Sequence, residues 1–314
     1  RGARRAPTAR GYPRCPPDHF RRRRRNPRRG SRTHAFALTE TIAMAVALNV
    51  IARILERIAP AAAAESWDNV GLQVGDPDAT VARIWVALDA GPEVVQAGAE
   101  AGIDLIITHH PLIFRALKRI DLTTPTGAAI GYALRNQMAV FSLHTNLDSA
   151  PGGLNDLLGR RLGLRRMRSL SGVRSPASGS GPSGIGRVGD LPRPQRVAAL
   201  ALYVKKRLGA PMVRVAGNPR SLIHCVAVST GSGGSLVPDF LRSDAQLFIS
   251  GDLGYHDARE VASAGRSLID VGHFHSEHLM KDALVKRLQA EFSRRRLKVS
   301  VQACPLETDP FTLV

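Results

Sequence analysis

Apolar residues along the chain alternate between helical spacing and short continuous runs. From Val50 they fall on one face at helical spacing until Pro60 ends the pattern, which predicts a first helix. Residues 84–88 and 105–108 form short apolar runs typical of buried strands. Between them, residues 92–102 predict a second helix, because a proline opens the segment and a glycine closes it.

The same alternation continues to the C-terminus. Further helices are predicted over residues 127–136, 195–208, 256–264 and 276–294, and further strands over residues 139–143, 213–215, 225–229, 247–250, 268–271 and, at a sheet edge, 299–301. Strands separated by single helices indicate right-handed βαβ units. The pattern therefore predicts an α/β fold with mainly parallel sheets flanked by helices.

Composition divides the chain into parts. Residues 1–43 hold thirteen Arg against two acidic residues, show no apolar period and are predicted to form a disordered arm. Met44 would also serve as the start of the working protein, which leaves open whether the arm belongs to it. Residues 167–183 are rich in Ser, Gly and Pro and predict a linker between a first lobe, 44–166, and a second, 184–314. The C-terminal segment is expected to pack back on the first lobe.

Charge and cysteines exclude several classes of protein. Most of the formal net charge of +18 lies in the arm, so nucleic-acid binding is not expected of the rest of the chain. Cys15, Cys225 and Cys304 are far apart and predict no disulfide framework, which fits a cytoplasmic protein. The longest apolar run, residues 42–52, is about half the length of a membrane span. No membrane segment is predicted.

Histidines and carboxylates follow three of the predicted strands. His109 and His110 come directly after one strand, Asp148 lies in the loop after the next, and His273 follows a third. Ligands collect at the carboxyl ends of parallel strands, so these side chains are expected to meet. Glu277, four residues after His273, lies on the same side of a helical turn. Such ligands suit zinc, iron, manganese or nickel, and a carboxylate can bridge two ions.

Each of these residues also has an ordinary structural role. A histidine at a strand end is often a surface or capping residue, Asp148 suits the N-cap of a helix near Leu154, and Glu277 suits a first helical turn. The glycine-rich segment 231–235 lacks both common nucleotide-binding patterns, which favours a tight turn over a phosphate-binding loop. Spacing alone leaves the metal site and these structural roles open.

The motifs around these residues resemble the GTP cyclohydrolase I type 2 family, also described as Nif3-like dinuclear-metal hexameric proteins. The resemblance runs from about Met44 to Val314. It rests on Trp67-Asp68-Asn69-Val70-Gly71-Leu72, Thr108-His109-His110-Pro111-Leu112, His144-Thr145-Asn146-Leu147-Asp148, Gly184-Ile185-Gly186-Arg187, Gly231-Ser232-Gly233-Gly234-Ser235, Tyr255-His256-Asp257-Ala258, Gly272-His273 with Glu277, and Thr308-Asp309-Pro310-Phe311.

The resemblance implies a site and an assembly. Two divalent metal ions would be held by the matching positions, which are His109, His110, Asp148, His273 and Glu277. It also implies a two-lobed subunit of the short form, a toroidal homohexamer and metal sites that face an internal cavity. This chain has Phe274-His275-Ser276 where the family usually has a small residue and Thr. His275 is then an extra ligand or proton donor, or a surface histidine, and the surface role is the commoner one.

The implied activity is that of a metal-dependent hydrolase. Two ions would activate a water molecule against a nucleotide or another phosphate-containing substrate, with GTP named by the resemblance alone. His144 or His256 is expected to transfer protons. The alternatives are a metal-dependent phosphoesterase, a non-enzymatic metal-containing ring or binding scaffold, and nucleic-acid binding through the Arg-rich arm.

Overall fold

The structure is a computed structural model that describes residues 45–171 and 184–314. The predicted arm, residues 1–43, lies outside the described residues, as do residues 172–183 of the predicted linker. Residues 167–169, predicted as the start of that linker, belong instead to a strand.

Strands and helices alternate through most of the described chain. The strands are β1 (Val46–Ala47), β2 (Gly71–Val74), β3 (Thr80–Val81), β4 (Arg83–Ala87), β5 (Leu105–Thr108), β6 (Ala139–Ser142), β7 (Arg165–Ser169), β8 (Arg187–Arg196), β9 (Arg214–Ala216), β10 (Leu222–Ser232), β11 (Leu247–Gly251), β12 (Ser267–Asp270) and β13 (Ser300–Ala303). The helices are α1 (Leu48–Ile58), α2 (Pro92–Glu100), α3 (Pro125–Arg135), α4 (Thr145–Ser149), α5 (Leu154–Arg161), α6 (Val197–Leu208), α7 (Val237–Arg242), α8 (Tyr255–Ser263), α9 (His273–Glu277) and α10 (Leu279–Arg294).

A five-stranded sheet has the order β13-β4-β5-β6-β2 and is parallel except for β2. Helices cover both faces of this sheet, since successive side chains of β4 point into two different cores. Ile84 and Val86 point into a core shared with α1 and α10, while Trp85 and Ala87 point into a core shared with α2 and α3. The C-terminal strand β13 completes this sheet and pairs with β4 in parallel, from Ser300 beside Arg83 to Ala303 beside Val86.

A six-stranded sheet has the order β7-β8-β10-β11-β12-β9. Only its central strands, β10, β11 and β12, run parallel, and the flanking strands are antiparallel to their neighbours. Its two faces are also covered. Val226 and Val228 pack with α5 and α6, while Cys225 and Ala227 pack with α7 and α8. The predicted α/β class with two lobes is confirmed, and the second sheet is mixed rather than mainly parallel.

Two elements differ from the sequence prediction for identifiable reasons. The apolar pattern does not predict β8, because Pro192 and Pro194 lack the backbone donor of a regular strand. The register of β8 on β10 shifts between Asp190 and Gln195, so both prolines lie in an irregular stretch. The helix predicted over residues 276–294 is two helices, α9 and α10. Within the described ranges, no helix has the length and apolar character that crossing a bilayer requires.

Candidate metal centre

The predicted ligands lie at the carboxyl ends of strands in both sheets. His109 and His110 follow β5 directly, and Asp148 lies in the short helix α4 after β6. His273 and Glu277 are the first and last residues of α9, which follows β12. At this point the carboxyl ends of strands from the two sheets face each other, so ligands from both halves of the chain meet.

Glu277 lies at the centre of the cluster. Its Oε1 atom is 3.4 Å from His109 Nε2, and its Oε2 atom is 3.0 Å from both His110 Nε2 and His273 Nε2. The two Nε2 atoms of His110 and His273 are 3.2 Å apart. Asp148 lies at the other side of His109, with Oδ2 3.8 Å from Nε2. The structure thus brings all five predicted ligands together.

Two overlapping groups within this cluster can hold a metal ion. His110, His273 and Glu277 form one, and His109, His110 and His144 form the other, each with ligand atoms within 4.8 Å of one another. His144 was predicted as a proton-transfer group, and its ring lies 5.2 Å from that of His109. The structure therefore places His144 against the ligands.

All four imidazoles of the cluster are anchored through Nδ1. The Nδ1 atoms lie within hydrogen-bond distance of oxygen acceptors, namely Leu143 O for His109 (2.8 Å), Asp89 Oδ1 for His110 (2.9 Å), Asp68 Oδ1 for His144 (2.8 Å) and Asp252 Oδ2 for His273 (2.8 Å). A metal-bound histidine almost always donates its second ring N–H to a carboxylate or backbone carbonyl. In a neutral imidazole held in this way, Nδ1 carries the proton and Nε2 presents its lone pair.

The supporting carboxylates Asp68, Asp89 and Asp252 were not predicted as site residues. A signal for two of them exists in the sequence. Asp89 and Asp252 follow the carboxyl ends of β4 and β11, as the histidines follow β5 and β12. Asp68 follows no strand, and in the sequence it stands out only within the Trp67-Asp68-Asn69 motif.

The neighbours of Asp148 and Glu277 fix both carboxylates. Asp148 Oδ1 accepts a hydrogen bond from Thr230 Oγ1 at 2.9 Å. The N-cap of the helix that begins at Leu154 is Gly153, so the alternative capping role for Asp148 is wrong. Beside Glu277, Gly231 has φ +63°, and a Cβ atom there would lie 2.2 Å from Glu277 Oε1. Only glycine leaves room for this carboxylate.

The glycine-rich segment 231–235 supports the site rather than forming a free nest of amides. The Gly231 amide donates to Ser276 Oγ at 2.9 Å, and the Gly233 amide donates to the Gly251 carbonyl at 3.1 Å. Since both amides are used within the fold, they are not available to a phosphate. The turn interpretation of this segment fits the structure better.

Proximity of opposite charges shifts the pKa values of the ligands. Burial lowers the pKa of His109 and His110, but the adjacent carboxylates outweigh it, so that the pKa of His109 is raised and that of His110 reaches about 10. Contact with Glu277 raises the pKa of His273 to about 9. Burial opposes ionisation of Glu277, yet the imidazoles hold its pKa well below the ordinary value. Burial raises the pKa of Asp148.

The cluster has the unsatisfied atoms that a cation would satisfy. His109 Nε2 and Glu277 Oε2 are buried and make no hydrogen bond, although Glu277 Oε2 lies 3.0 Å from two imidazole nitrogens. Bonds of about 2.0–2.1 Å in tetrahedral geometry place neighbouring ligand atoms about 3.3 Å apart. The separations of 3.0 and 3.2 Å among His110, His273 and Glu277 are close to that value. The residues present therefore fit a metal ion.

A cavity of about 400 Å³ opens beside the cluster. His110, His144, His273 and both acidic ligands line it, together with Trp67 and Phe114. The rings of Trp67 and Phe114 make an edge contact at 5.9 Å. The cavity therefore combines ligand side chains with an aromatic wall.

Two other histidines lie away from this cavity. His256, the second predicted proton-transfer residue, is exposed near the start of α8 and is not among the described residues that line the cavity. The surface role expected for His275 is wrong, since its side chain is 14% exposed and lies 3.2 Å from Asp309 Oδ2. His275 lines a different cavity, formed in part by the C-terminal residues.

Fold and site together define an α/β protein with two large sheets and a candidate metal centre between them. The family Duf34/NIF3 (NGG1p interacting factor 3) matches residues 46–310, and the chain belongs to this family. A GTP cyclohydrolase 1 type 2 homolog from Clostridium perfringens is 38% identical over 230 residues, which cover 73% of this chain and 86% of that protein. A homolog of the same name from Streptomyces coelicolor is 34% identical over 268 residues, or 84% and 93% of the two chains.

Solved structures agree with the family assignment. A Bacillus cereus protein related to NIF3 superposes with a TM-score of 0.78 at 25% identity, covering 85% of this chain and 99% of that one. The Staphylococcus aureus protein SA1388 also gives a TM-score of 0.78, at 26% identity, with 86% and 99% covered. This chain therefore has the Nif3-like fold.

Proposed function

We propose that the chain is a metal-dependent hydrolase that holds two divalent ions, with zinc, iron, manganese and nickel as the candidates. The proposed ligands are His109, His110, Asp148, His273 and Glu277. The observation that carries the proposal is the shared Nδ1 anchoring of the imidazoles, together with the position of three of their Nε2 atoms, those of His109, His110 and His273, within 3.4 Å of Glu277. A structural histidine cluster has no need of this common orientation.

The distances suggest how the five ligands divide between the two ions. His109 and Asp148 lie on the Oε1 side of Glu277, while His110 and His273 lie on the Oε2 side. Glu277 lies between the two pairs and would help to hold both ions. Bound ions would supply a Lewis acid and lower the pKa of a water molecule toward neutrality.

The residues of the chain contribute the proton transfer and the surroundings. His144 lines the cavity and is the proposed general base and acid, because Asp68 holds its Nδ1 atom and Thr145 in turn donates to Asp68. Trp67 and Phe114 lie beside His144 and offer an apolar surface to a substrate. His256 is not included, because it does not line this cavity.

The names of the relatives suggest GTP as substrate, with hydrolysis at a C–N bond of the guanine imidazole ring. A phosphoester is the alternative, because the same centre would suit hydrolysis at phosphorus. The proposal also includes the toroidal homohexamer implied by the resemblance. Exposed apolar side chains such as Phe114 and Phe311 support association, and sedimentation at six times the chain mass of 33.8 kDa would test it.

The experiment is an activity assay on full-length protein stripped by a chelator and reloaded with each metal in turn. GTP loss is followed by chromatography and bis(p-nitrophenyl) phosphate hydrolysis by absorbance. Substitution His144→Gln should lower kcat by about 10²–10⁴ without loss of metal. His224→Gln, at an exposed position on β10, is the matched control and should leave kcat unchanged.

Three outcomes would count against the proposal. If no metal restores turnover of either substrate, the hydrolase function is wrong and a non-enzymatic metal-containing scaffold replaces it. If His144→Gln behaves like the control, His144 is not the proton-transfer residue. If His256→Gln lowers kcat instead, the assignment between these two histidines is reversed.

A further inference from the structure

A buried carboxylate in the C-terminal segment holds the end of a strand at the candidate metal centre. Glu307 Oε1 accepts hydrogen bonds from the backbone amides of Leu88 at 2.7 Å and Asp89 at 2.8 Å. These residues directly follow β4, so their amides lie beyond the last pair of the parallel ladder. The side chain of Glu307 is only 8% exposed. Its carboxylate thus replaces the strand partner that these amides lack.

The segment that Glu307 holds is the support of His110. The Asp89 carboxylate lies 2.9 Å from His110 Nδ1, and the His110 amide donates to the Leu88 carbonyl at 2.8 Å. Both the ring and the backbone of His110 therefore depend on the position of Leu88 and Asp89. A shift of these two residues would turn the Nε2 atom away from Glu277.

Glu307 is also tied to the opposite half of the centre. Lys281 Nζ lies 3.0 Å from Glu307 Oε2, which is within ion-pair distance, although the angle does not suit a hydrogen bond. The Lys281 ammonium group donates a hydrogen bond to the Cys304 carbonyl at 3.2 Å. Lys281 lies in the first turn of α10, which follows α9 and its ligands His273 and Glu277. The ion pair is largely buried, so losing one partner leaves an uncompensated charge.

We propose that Glu307 is a positioning residue of the metal centre, which sets the orientation of His110 through Asp89 and links it to α10 through Lys281. This proposal rests on the proposed metal centre. A carboxylate that orients a metal ligand from outside typically changes metal affinity about 10–100-fold. A carboxylate that only stabilises the fold would change the unfolding temperature and leave the affinity unaltered.

The chain contains a matched control at the other end of the same strand. Asp104 Oδ2 accepts hydrogen bonds from the amides of Ala82 and Arg83, both at 2.8 Å, next to the start of β4. Asp104→Ala therefore removes the same kind of contact from the same strand, but far from the ligands. The two alanine variants separate positioning of the metal centre from support of β4.

The test uses Co²⁺ as the probe, titrated into metal-free full-length protein and followed by its visible absorption. Glu307→Ala should bind at least one Co²⁺ about 10–100-fold more weakly, with a changed spectrum, whereas Asp104→Ala should match the parent in both. Glu307→Asp keeps the charge but withdraws the oxygens by one methylene, so it should also weaken binding. Glu307→Gln keeps an acceptor oxygen for the two amides but removes the charge that pairs with Lys281, so its affinity should lie between those of the parent and Glu307→Ala.

A double variant tests the route through Asp89. If Glu307 acts through that residue, Glu307→Ala combined with Asp89→Ala should bind Co²⁺ no more weakly than Asp89→Ala alone. Additive losses would overturn this route. Affinities and spectra of Glu307→Ala and Glu307→Asp equal to those of the parent would overturn the proposal itself. Failure of the parent to bind Co²⁺ would instead contradict the metal centre on which it rests.

Discussion

The Nε2 atoms of His110 and His273 lie 3.2 Å apart although 163 residues separate them in the chain. His110 follows a strand of the five-stranded sheet, and His273 follows a strand of the six-stranded sheet. Glu277 contacts both imidazoles, so two imidazoles and one carboxylate lie together. A cation shared by both histidines would therefore join the two sheets.

Metal binding is accordingly expected to stabilise the fold. At a free metal concentration about 100 times Kd, a ligand that binds only the folded state adds about 2.7 kcal/mol to the free energy of unfolding. Urea unfolding with and without metal measures this difference. In His273→Ala the added stability should be much smaller, because the link between the sheets loses a ligand. An equal gain in parent and variant would show that the metal binds elsewhere.

The pKa shifts predict opposite pH dependences for the metal-free and metal-loaded protein. The pKa values of His110 and His273 are raised from 6.5 to about 10 and about 9. Their charged forms therefore stabilise the metal-free fold fully below pH 6.5, and this contribution is lost as pH rises through 9 to 10. Metal binds the neutral imidazoles, so metal affinity should rise over the same range.

Thermal unfolding between pH 7 and 10 checks both expectations. The unfolding temperature of chelator-treated protein should fall with pH, and the increase produced by added metal should grow. A metal effect that shrinks toward pH 10 would contradict the assignment of these histidines as ligands. His224→Gln, away from the centre, serves as the control for general alkaline destabilisation.

The Asp68 carboxylate is expected to control His144 without binding metal. Burial opposes its ionisation, but contacts with His144 and Thr145 lower the pKa of Asp68 to about 2. Asp68→Asn should therefore leave the metal content unchanged and lower kcat about a hundredfold. The Thr145 amide and hydroxyl would take the remaining oxygen, so that a side-chain NH2 group faces His144 Nδ1 and no longer fixes its tautomer. Metal analysis and steady-state kinetics on the same samples test this. Loss of metal would instead make Asp68 part of the binding site.

Much of the fold was predictable from the sequence, because the strands of the five-stranded sheet carry strong local signals. The run at Leu105–Thr108 coincides with β5, and Pro92 opens α2 as predicted. Two antiparallel strands of the six-stranded sheet, β7 and β8, were not predictable in the same way. β7 consists mainly of Arg and Ser, and β8 contains two prolines, so neither has an apolar period. β8 forms because β10 offers a partner, and β7 forms because β8 does, which is information from the tertiary structure.

The candidate site was also predictable only in part. The ligands were predictable because each follows a strand and the family motifs cover them. Their supports were not, because Asp89 and Asp252 look like ordinary loop acids until the rings of His110 and His273 lie beside them. The role of Glu307 depends on a contact across 219 positions of the chain. No local pattern indicates such a contact.

A buried ion pair between α5 and β8 predicts a large effect on stability. Arg187 is fully buried, pairs with Asp156 and donates to the Gly184 and Gly186 carbonyls. Arg187→Met would leave the Asp156 carboxylate buried without its partner, so the free energy of unfolding should fall by about 3–5 kcal/mol. Urea unfolding measures the loss.

The matched control is an exposed pair on the neighbouring strand. Arg166 and Asp190 lie 2.7 Å apart, with the arginine side chain 83% exposed. Arg166→Met should therefore cost about 0–1 kcal/mol. Similar losses for the two substitutions would contradict the assigned role of burial at Arg187.

The measurement that tests the central claim most directly is the metal content per chain, by elemental analysis of protein purified without added metal. We expect close to two divalent ions per chain in the parent, and no more than one when His109→Ala and Asp148→Ala are combined, because His110, His273 and Glu277 remain. The two substituted side chains lie on the Oε1 side of Glu277, and the loss of His109 leaves that oxygen without a neighbouring imidazole. The same small metal content in both proteins would contradict the dinuclear centre.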